Sequence, residues 1–322
     1  MGRFKNGQVV GHFWIGIVNN GFIHGIADVH GQATGDDFVY IYPDGVTALK
    51  GQFEKTYMKK ARNVNVVKYG CDADTGMFIP VEFTQPLSEH VFKYDPPTNV
   101  SYGQDDTSWQ VPDPYEVKNV KVGKSQVPNS GEGVFLIKDI PVERVACYYT
   151  MFLYRSPDEV KLFNASCTYN YSRTDDERRE CNKYSLQFQT YDAIISLPPE
   201  HDHEPYPNAG PKVNHHFRLN NTQYVESEHP RWGYTQSVTP LVRSLKAGEE
   251  LFTQYGYTSN KFPYDYEWYW ETKRLIERDE RLKKEEEEYQ KWKEEKAKKS
   301  KKSMQKKSKK QPNQEKKNIA DS

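Results

Sequence analysis

Residues 1–85 alternate apolar and polar positions with the two-residue period of β-strands, punctuated by turn-forming dipeptides. Trp14-Ile15-Gly16-Ile17-Val18 followed by Asn19-Asn20-Gly21 reads as a strand and a tight turn, because Asn-Gly readily supplies positive φ. Tyr40-Ile41-Tyr42-Pro43-Asp44-Gly45 repeats the plan, and Ala48–Phe53 reads as the returning strand. Two similar hairpins in close succession suggest a repeat array whose neighbours bury each other's faces. From about 115 to 270 the pattern changes to short strands with long irregular connections: Gly133–Ile137, Arg144–Tyr149, Asp192–Ser196 and Glu250–Gln254. No long amphipathic helix separates them, which argues against a doubly wound parallel sheet. Further on, Trp268, Leu275, Leu282 and Tyr289 recur every seven residues while the complementary core positions are charged. That spacing gives a narrow apolar stripe on a charged helix, and not a coiled-coil seam.

Composition refines this picture. The 23 Tyr, 15 Phe and 6 Trp can furnish a packed core. No apolar run approaches the roughly 20 residues of a spanning helix, and Met1–Val10 is polar, unlike a secretory leader. An intracellular, soluble protein with no membrane partner is therefore expected, its four cysteines (Cys71, Cys147, Cys167 and Cys181) reduced. The zero net charge hides an asymmetry: residues 271–322 hold 19 basic and 12 acidic side chains, a formal +7, leaving −7 for residues 1–270. Nine lysines and no acids lie between Lys296 and Lys310. Such a segment suits nuclear localisation or nucleic-acid contact, and equally a solubilising end; it cannot build a core.

Three separated segments carry candidate chemistry. Gly131-Glu132-Gly133 lets the backbone approach a ligand closely, with Glu132 able to hold an amine or a ribose hydroxyl. Without a third glycine or a following helix it is no dinucleotide fingerprint, and a tight turn alone also explains it. Asn214-His215 offers donors and acceptors for the two ends of a zwitterion. A metal site formed with His201-Asp202-His203-Glu204 and His216 is the competing reading; adjacent histidines point apart in a strand, no Cys-X-X-Cys pair helps, and no metal is expected. Tyr255-Gly256-Tyr257, with Tyr149 and Tyr224, could wall a channel that desolvates an amine and orients its lone pair, although most of so many tyrosines must serve packing.

The order Gly-Glu-Gly, Asn-His and Glu249–Tyr257 resembles the SET domain of protein-lysine methyltransferases. Tyr-Pro-Asp-Gly followed by Gly-Gln-Phe resembles MORN repeats. Pro112–Glu116, Lys212–His215, His229–Gly233 and Glu267–Tyr269 are similar to the subclass that joins the two and monomethylates lysines of histones and other proteins. The resemblance implies a mostly β fold: MORN-type hairpin repeats at 1–85, a connecting segment at 86–114, and a β-rich SET domain with a knot-like crossing at 115–270. It also implies a charged helix at 271–295 and a disordered Lys-rich tail at 296–322. It implies S-adenosyl-L-methionine as cofactor, held by Ser130, Gly131, Glu132, Lys212, Asn214, His215 and Trp268. Tyr255 would lead catalysis, with Tyr149, Tyr224 and Tyr257 lining the lysine channel. The implied partner is a histone or other nuclear protein, with nucleic acid or nucleosome contact through the tail. The implied setting is a monomer in the nucleus, with the cytoplasm as a second compartment. The chain departs from the family pattern at His216 (usually serine), in a lengthened 155–182 segment, and at Tyr184, where asparagine is expected. These departures leave a catalytically inactive scaffold as the alternative.

Overall fold

The computed structural model describes residues 1–94, 111–150 and 208–255, apart from 19, 29, 31 and 217, together with short strands at 152–154, 186–187 and 194–196 and a helix at 267–308. The alternating N-terminal pattern becomes an antiparallel meander: β1 (Gly2–Lys5), β2 (Gln8–Gly16), β3 (Phe22–Ile26), β4 (Gly35–Ile41), β5 (Thr47–Glu54), β6 (Tyr57–Cys71) and β7 (Phe78–Phe83), each paired with the next, while β8 (Val91–Phe92) pairs with β6. Both expected hairpins form. The Asn-Gly turn closes β2 on β3, with the Ile17 amide donating to the Gly21 carbonyl over 2.9 Å. In the second, Asp44 accepts from the amides of Val46 and Thr47 and from the Thr47 hydroxyl, an Asx turn that returns the chain into β5.

Alternation gives the meander two faces. One face contributes Phe13, Ile23, Phe38, Tyr40, Leu49, Phe53 and Met58 to a core shared with Tyr115, Tyr148 and Trp232 from later in the chain. Full burial of such a side chain contributes about 1.5–3 kcal/mol, so this shared core ties the hairpins strongly to the downstream strands. Val39, Ile41, Ala48, Val64 and Val66 form a second cluster, packed by Trp14, Tyr69 and Phe83.

Downstream, Asp113 organises the entry to the second group of strands. Its carboxylate accepts from the amides of Tyr115 and Glu116, starting the short 3-10 turn Glu116–Lys118, and from the Tyr42 hydroxyl at 2.5 Å. Short strands then assemble as small sheets. β9 (Val120–Lys124), β10 (Glu132–Leu136), β15 (Asn214–His215) and β18 (Glu250–Thr253) lie in the order β15-β18-β10-β9. β11 (Cys147–Tyr149), β16 (Thr222–His229) and β17 (Gly233–Pro240) lie in the order β11-β17-β16. β12 (Phe152–Tyr154), β13 (Leu186–Gln187) and β14 (Ile194–Ser196) form a third small sheet. Val120, Val134, Leu136, Cys147, Val213, Val238, Leu245 and Leu251 fill the core between the first two. Hairpins and small sheets together make one compact unit, Met1–Pro263, and Tyr264–Ser322 makes another. The mostly β architecture with a C-terminal α-helix is thus the one the sequence announced.

The helix α1 (Glu267–Ser308) differs in extent from the sequence expectation, which places it at 271–295 and a disordered tail at 296–322. It continues because Lys, Ala, Gln and Met are all good helix formers and nothing before Pro312 breaks the run. Within it the Tyr289 and Trp292 rings stack at 5.9 Å, and the Lys296 ammonium sits 4.6 Å from the Trp292 ring. Residues 309–322 lie outside the described residues. No helix is long and apolar enough to cross a membrane among the described residues.

Candidate active site

Two cross-chain pairings build the site. β15 runs parallel to β18, placing Asn214 opposite Phe252 and His215 opposite Thr253. β18 also pairs antiparallel with β10, the strand that begins just after Gly131. Asn-His, Gly-Glu-Gly and the approach to Tyr255 therefore meet, although about 80 and 40 residues of chain separate them. Gly131 has φ +73°, a left-handed conformation costly for other residues. At Gly133 a Cβ would stand 2.1 Å from the Glu250 carboxylate and 3.3 Å from the Asn214 amide nitrogen, so only glycine lets these groups close over the backbone.

Side chains then lock the turn. Asn214 Nδ2 donates to the Glu132 carbonyl over 2.8 Å and lies 3.5 Å from the Ser130 hydroxyl, which itself donates to Val127 O at 2.9 Å. Lys212 and Glu132 form an ion pair at 3.1 Å. The His215 ring is buried, with Nδ1 3.1 Å from the Thr253 carbonyl and 3.2 Å from the Tyr255 amide. One nitrogen holds at most one proton, so it either donates to Thr253 or accepts from Tyr255. Burial pushes the His215 pKa down to about 4, opposed by the Thr253 contact, so the ring is neutral at physiological pH.

A group of tyrosines lies beside this turn. The Tyr255 hydroxyl donates to the Val213 carbonyl over 2.7 Å. The Tyr149 and Tyr224 rings meet edge to face at 5.4 Å. Burial, then the nearby Tyr255 and Tyr149, hold the Tyr224 hydroxyl well above the usual tyrosine pKa, so it remains a proton donor. Ser130, Gly131, Glu132, Lys212, Asn214 and His215 are thus drawn together, and Tyr149, Tyr224 and Tyr255 form a second group joined to the first through Val213 and His215. Tyr257 lies outside the described residues, as does the Trp268 side chain, whose backbone opens α1. His201–Glu204 and Tyr184 lie outside them too, as does the lengthened 155–182 segment.

Several supporting residues have no role in the sequence-based expectation. Glu250 is buried and accepts from the Ser125 hydroxyl at 2.6 Å and the Gln126 amide at 2.7 Å, fixing the loop before Ser130. Asn221 brackets β18 by donating to the Glu250 carbonyl and accepting from the Phe252 amide. Glu116 is buried and accepts from the backbone amides of Tyr148 and Ala209, joining β11 to the segment that leads into Lys212. His216 has a capping role: its Nδ1 accepts from the amides of Arg218 and Leu219. A polar residue just after Asn-His was the one signal available for that role.

Comparison with known proteins gives a class and then a relative. Residues 4–73, within the hairpin sheet, match the family described as histone H3 K4-specific methyltransferase SET7 N-terminal. Over 261 residues the chain is 30% identical to the histone-lysine N-methyltransferase SETD7 of Halocynthia roretzi, a match covering 80% of this chain and 62% of that relative. The chain therefore spans under two thirds of that relative's length. Among solved structures, an autoinhibited ctPRC2 bound to S-adenosylmethionine is 27% identical with a TM-score of 0.32, covering 51% of this chain and 17% of that one. KRYPTONITE in complex with mCHG DNA and SAH is 16% identical with a TM-score of 0.30, covering 45% and 25%. The chain is similar to SET7-type lysine methyltransferases, as the quoted motifs led one to expect.

Proposed function

We propose that this protein is a protein-lysine N-methyltransferase that transfers one methyl group from S-adenosylmethionine to a lysine of a histone or other nuclear protein. The observation that carries the reading is the meeting of the Ser130–Glu132 turn with Asn214-His215 beside Tyr255, whose hydroxyl reaches Val213 and which neighbours the Tyr149–Tyr224 pair. The donor set fits the cofactor's chemistry: Lys212 and Glu132 supply opposite charges suited to an amino-acid zwitterion, and Gly131 offers backbone with open space beside it. Ser130, Gly131, Glu132, Lys212, Asn214 and His215 would hold it, with Trp268 at the head of the helix as a further contact. Bound there, it supplies an electrophilic methyl group on a sulfonium.

The protein's own contribution is alignment and desolvation. A free lysine has a pKa of about 10.4 and must lose its proton to become a nucleophile. Tyr149, Tyr224, Tyr255 and Tyr257 would wall its channel, disfavour the ammonium form and orient the lone pair. Hydroxyls at Tyr149 and Tyr224, where phenylalanine would leave more room, favour stopping at one methyl. In this reading 1–85 is a MORN-type region, 86–114 a connection and 115–270 the SET domain. The Lys-rich end beyond 296 would contact nucleic acid or nucleosomes, and the protein would act as a nuclear monomer.

The test is label transfer from methyl-labelled S-adenosylmethionine to mixed histones or nuclear extract, followed by acid hydrolysis. Label recovered as Nε-methyl-lysine is expected. Label found only on other amino acids, or none on any protein, overturns the reading.

A further inference from the structure

The turn of the first hairpin places one side chain against both strands that carry the tyrosine pair. Asn20 Oδ1 accepts from the hydroxyls of Tyr40, at 2.7 Å, and Tyr148, at 2.8 Å, while its Nδ2 donates to the Glu228 carbonyl at 3.0 Å. The partners fix the amide orientation, since two hydroxyls need an acceptor and one carbonyl needs a donor. A backbone bond from the Glu228 amide to the Val18 carbonyl, at 3.3 Å, holds the same turn to β16.

Tyr148 and Tyr149 are neighbours on β11, so their side chains leave opposite faces of the strand. Tyr149 meets Tyr224; Tyr148 goes the other way, into the core shared with the hairpins, against His229 and Trp232. Tyr224 and Glu228 both belong to β16. β11 and β16 are the outer strands of a three-stranded sheet with β17 between them; Tyr149 is level with Gln236 and Glu226, and Tyr224 with Val238 and Cys147, so the two tyrosines meet diagonally across β17. Asn20 thus bridges those outer strands, one through a side-chain hydroxyl and the other through a backbone carbonyl. Neither hydroxyl has an alternative in water: Tyr40 and Tyr148 are fully buried.

We propose that Asn20 is a positioning residue for the tyrosine pair: by gripping Tyr148 on β11 and the Glu228 carbonyl on β16 at once, it sets the spacing of Tyr149 and Tyr224 and so how many methyl groups a lysine can receive. The last step rests on the lysine-methyltransferase reading; the spacing does not. The hairpin sheet is then part of the site's back wall. A hydroxyl lost from Tyr148 frees β11 directly, whereas one lost from Tyr40 leaves the Tyr148–Asn20 bond in place and reaches β11 only through the contact between the two tyrosine hydroxyls.

The experiment compares full-length Tyr148→Phe and Tyr40→Phe, with 3-fluorotyrosine placed at 224 as a reporter and with products resolved by mass. Both variants keep the aromatic ring, so both are expected to fold with similar loss of thermal stability. Tyr148→Phe is expected to move or broaden the fluorine resonance, and to raise the ratio of dimethyl to monomethyl product by about threefold or more, the scale of one lost hydrogen bond. Tyr40→Phe, which keeps the Tyr148–Asn20 bond, is expected to change both much less. An unmoved resonance in Tyr148→Phe, or equal shifts in both variants, overturns the positioning role whether or not the protein transfers methyl groups. A moved resonance with an unchanged product ratio overturns the link to methyl number. Absence of transfer by the wild type counts against the methyltransferase reading alone, because the fluorine signal still decides the spacing.

Discussion

The Tyr255 hydroxyl donates to the carbonyl of Val213 across 2.7 Å, which fixes the tyrosine expected to lead catalysis to the backbone just before Asn214-His215. The same tyrosine's amide lies 3.2 Å from the His215 ring, so the two segments hold one another at both ends of one residue. Any movement of β15, which carries Asn214, therefore reaches Tyr255 directly.

Gly133→Ala tests how tightly Gly-Glu-Gly is closed. The new methyl would collide with a Glu250 carboxylate that Ser125 and Gln126 hold in place, and it would press on Asn214. Overpacking of this kind costs about 1–3 kcal/mol. A lower thermal midpoint together with loss of S-adenosylmethionine binding in calorimetry is expected. Unchanged binding would mean the turn opens more freely than its geometry suggests.

His216→Ala should release the turn at 216–219 by removing the acceptor for two amides. Side-chain caps of this kind contribute about 0.5–2 kcal/mol in helices. His216→Ser, carrying the residue usual at this position, should recover part of the loss. Denaturant unfolding of the three proteins measures both effects, and equal stability of the alanine and wild-type proteins would deny the capping role.

Acid should weaken the fold through histidines that are buried in neutral form. Burial, then the stacked His12, push the His24 pKa down to about 4, with Asp72 acting the other way. His215 is likewise held at about 4. Between the unfolded value near 6.5 and 4, the unfolded chain binds protons that the native one refuses. Their stabilisation is thus complete above about pH 6.5 and lost as pH falls toward 4. Thermal midpoints measured from pH 7.5 to 4.5 should decline, and His24→Phe should decline less steeply. Parallel curves for the two proteins would remove His24 from the account.

The Lys-rich end makes a salt-dependent prediction. If residues 296–310 neutralise phosphates, affinity for duplex DNA should fall steeply with rising salt, and deleting those residues should abolish that dependence. Binding that survives the deletion and ignores salt would contradict it.

Much of this molecule is legible in its sequence where local chemistry sets the outcome. Asn19-Asn20-Gly21 and Tyr42-Pro43-Asp44-Gly45 announce their hairpins because turn dihedrals and Asx bonds are local properties. The site segments are legible as motifs, and β15, β18 and β10 bring them together in the fold. Partnerships set by tertiary register are not legible. Nothing near Asn20 indicates Tyr148, and Glu250 reads as an ordinary charge before an apolar strand until Ser125 and Gln126 fold around it. His216 reads as damage to a motif, because its capping bonds depend on the turn that the next three residues take. The extension of the helix past 295 is hard to read because a run of lysines suggests solvation more readily than helix propensity, yet has both.

The central claim is that the segments around Val213 make one methyl-transfer site. The most direct measurement is the rate of transfer from labelled S-adenosylmethionine to a protein lysine by the wild type and by Tyr255→Phe, with cofactor affinity measured on both. The account requires transfer by the wild type, and a fall of about a hundredfold in the variant, the scale of a displaced catalytic group, with cofactor binding retained. Wild-type protein that folds but neither binds the cofactor nor transfers a methyl group would contradict it.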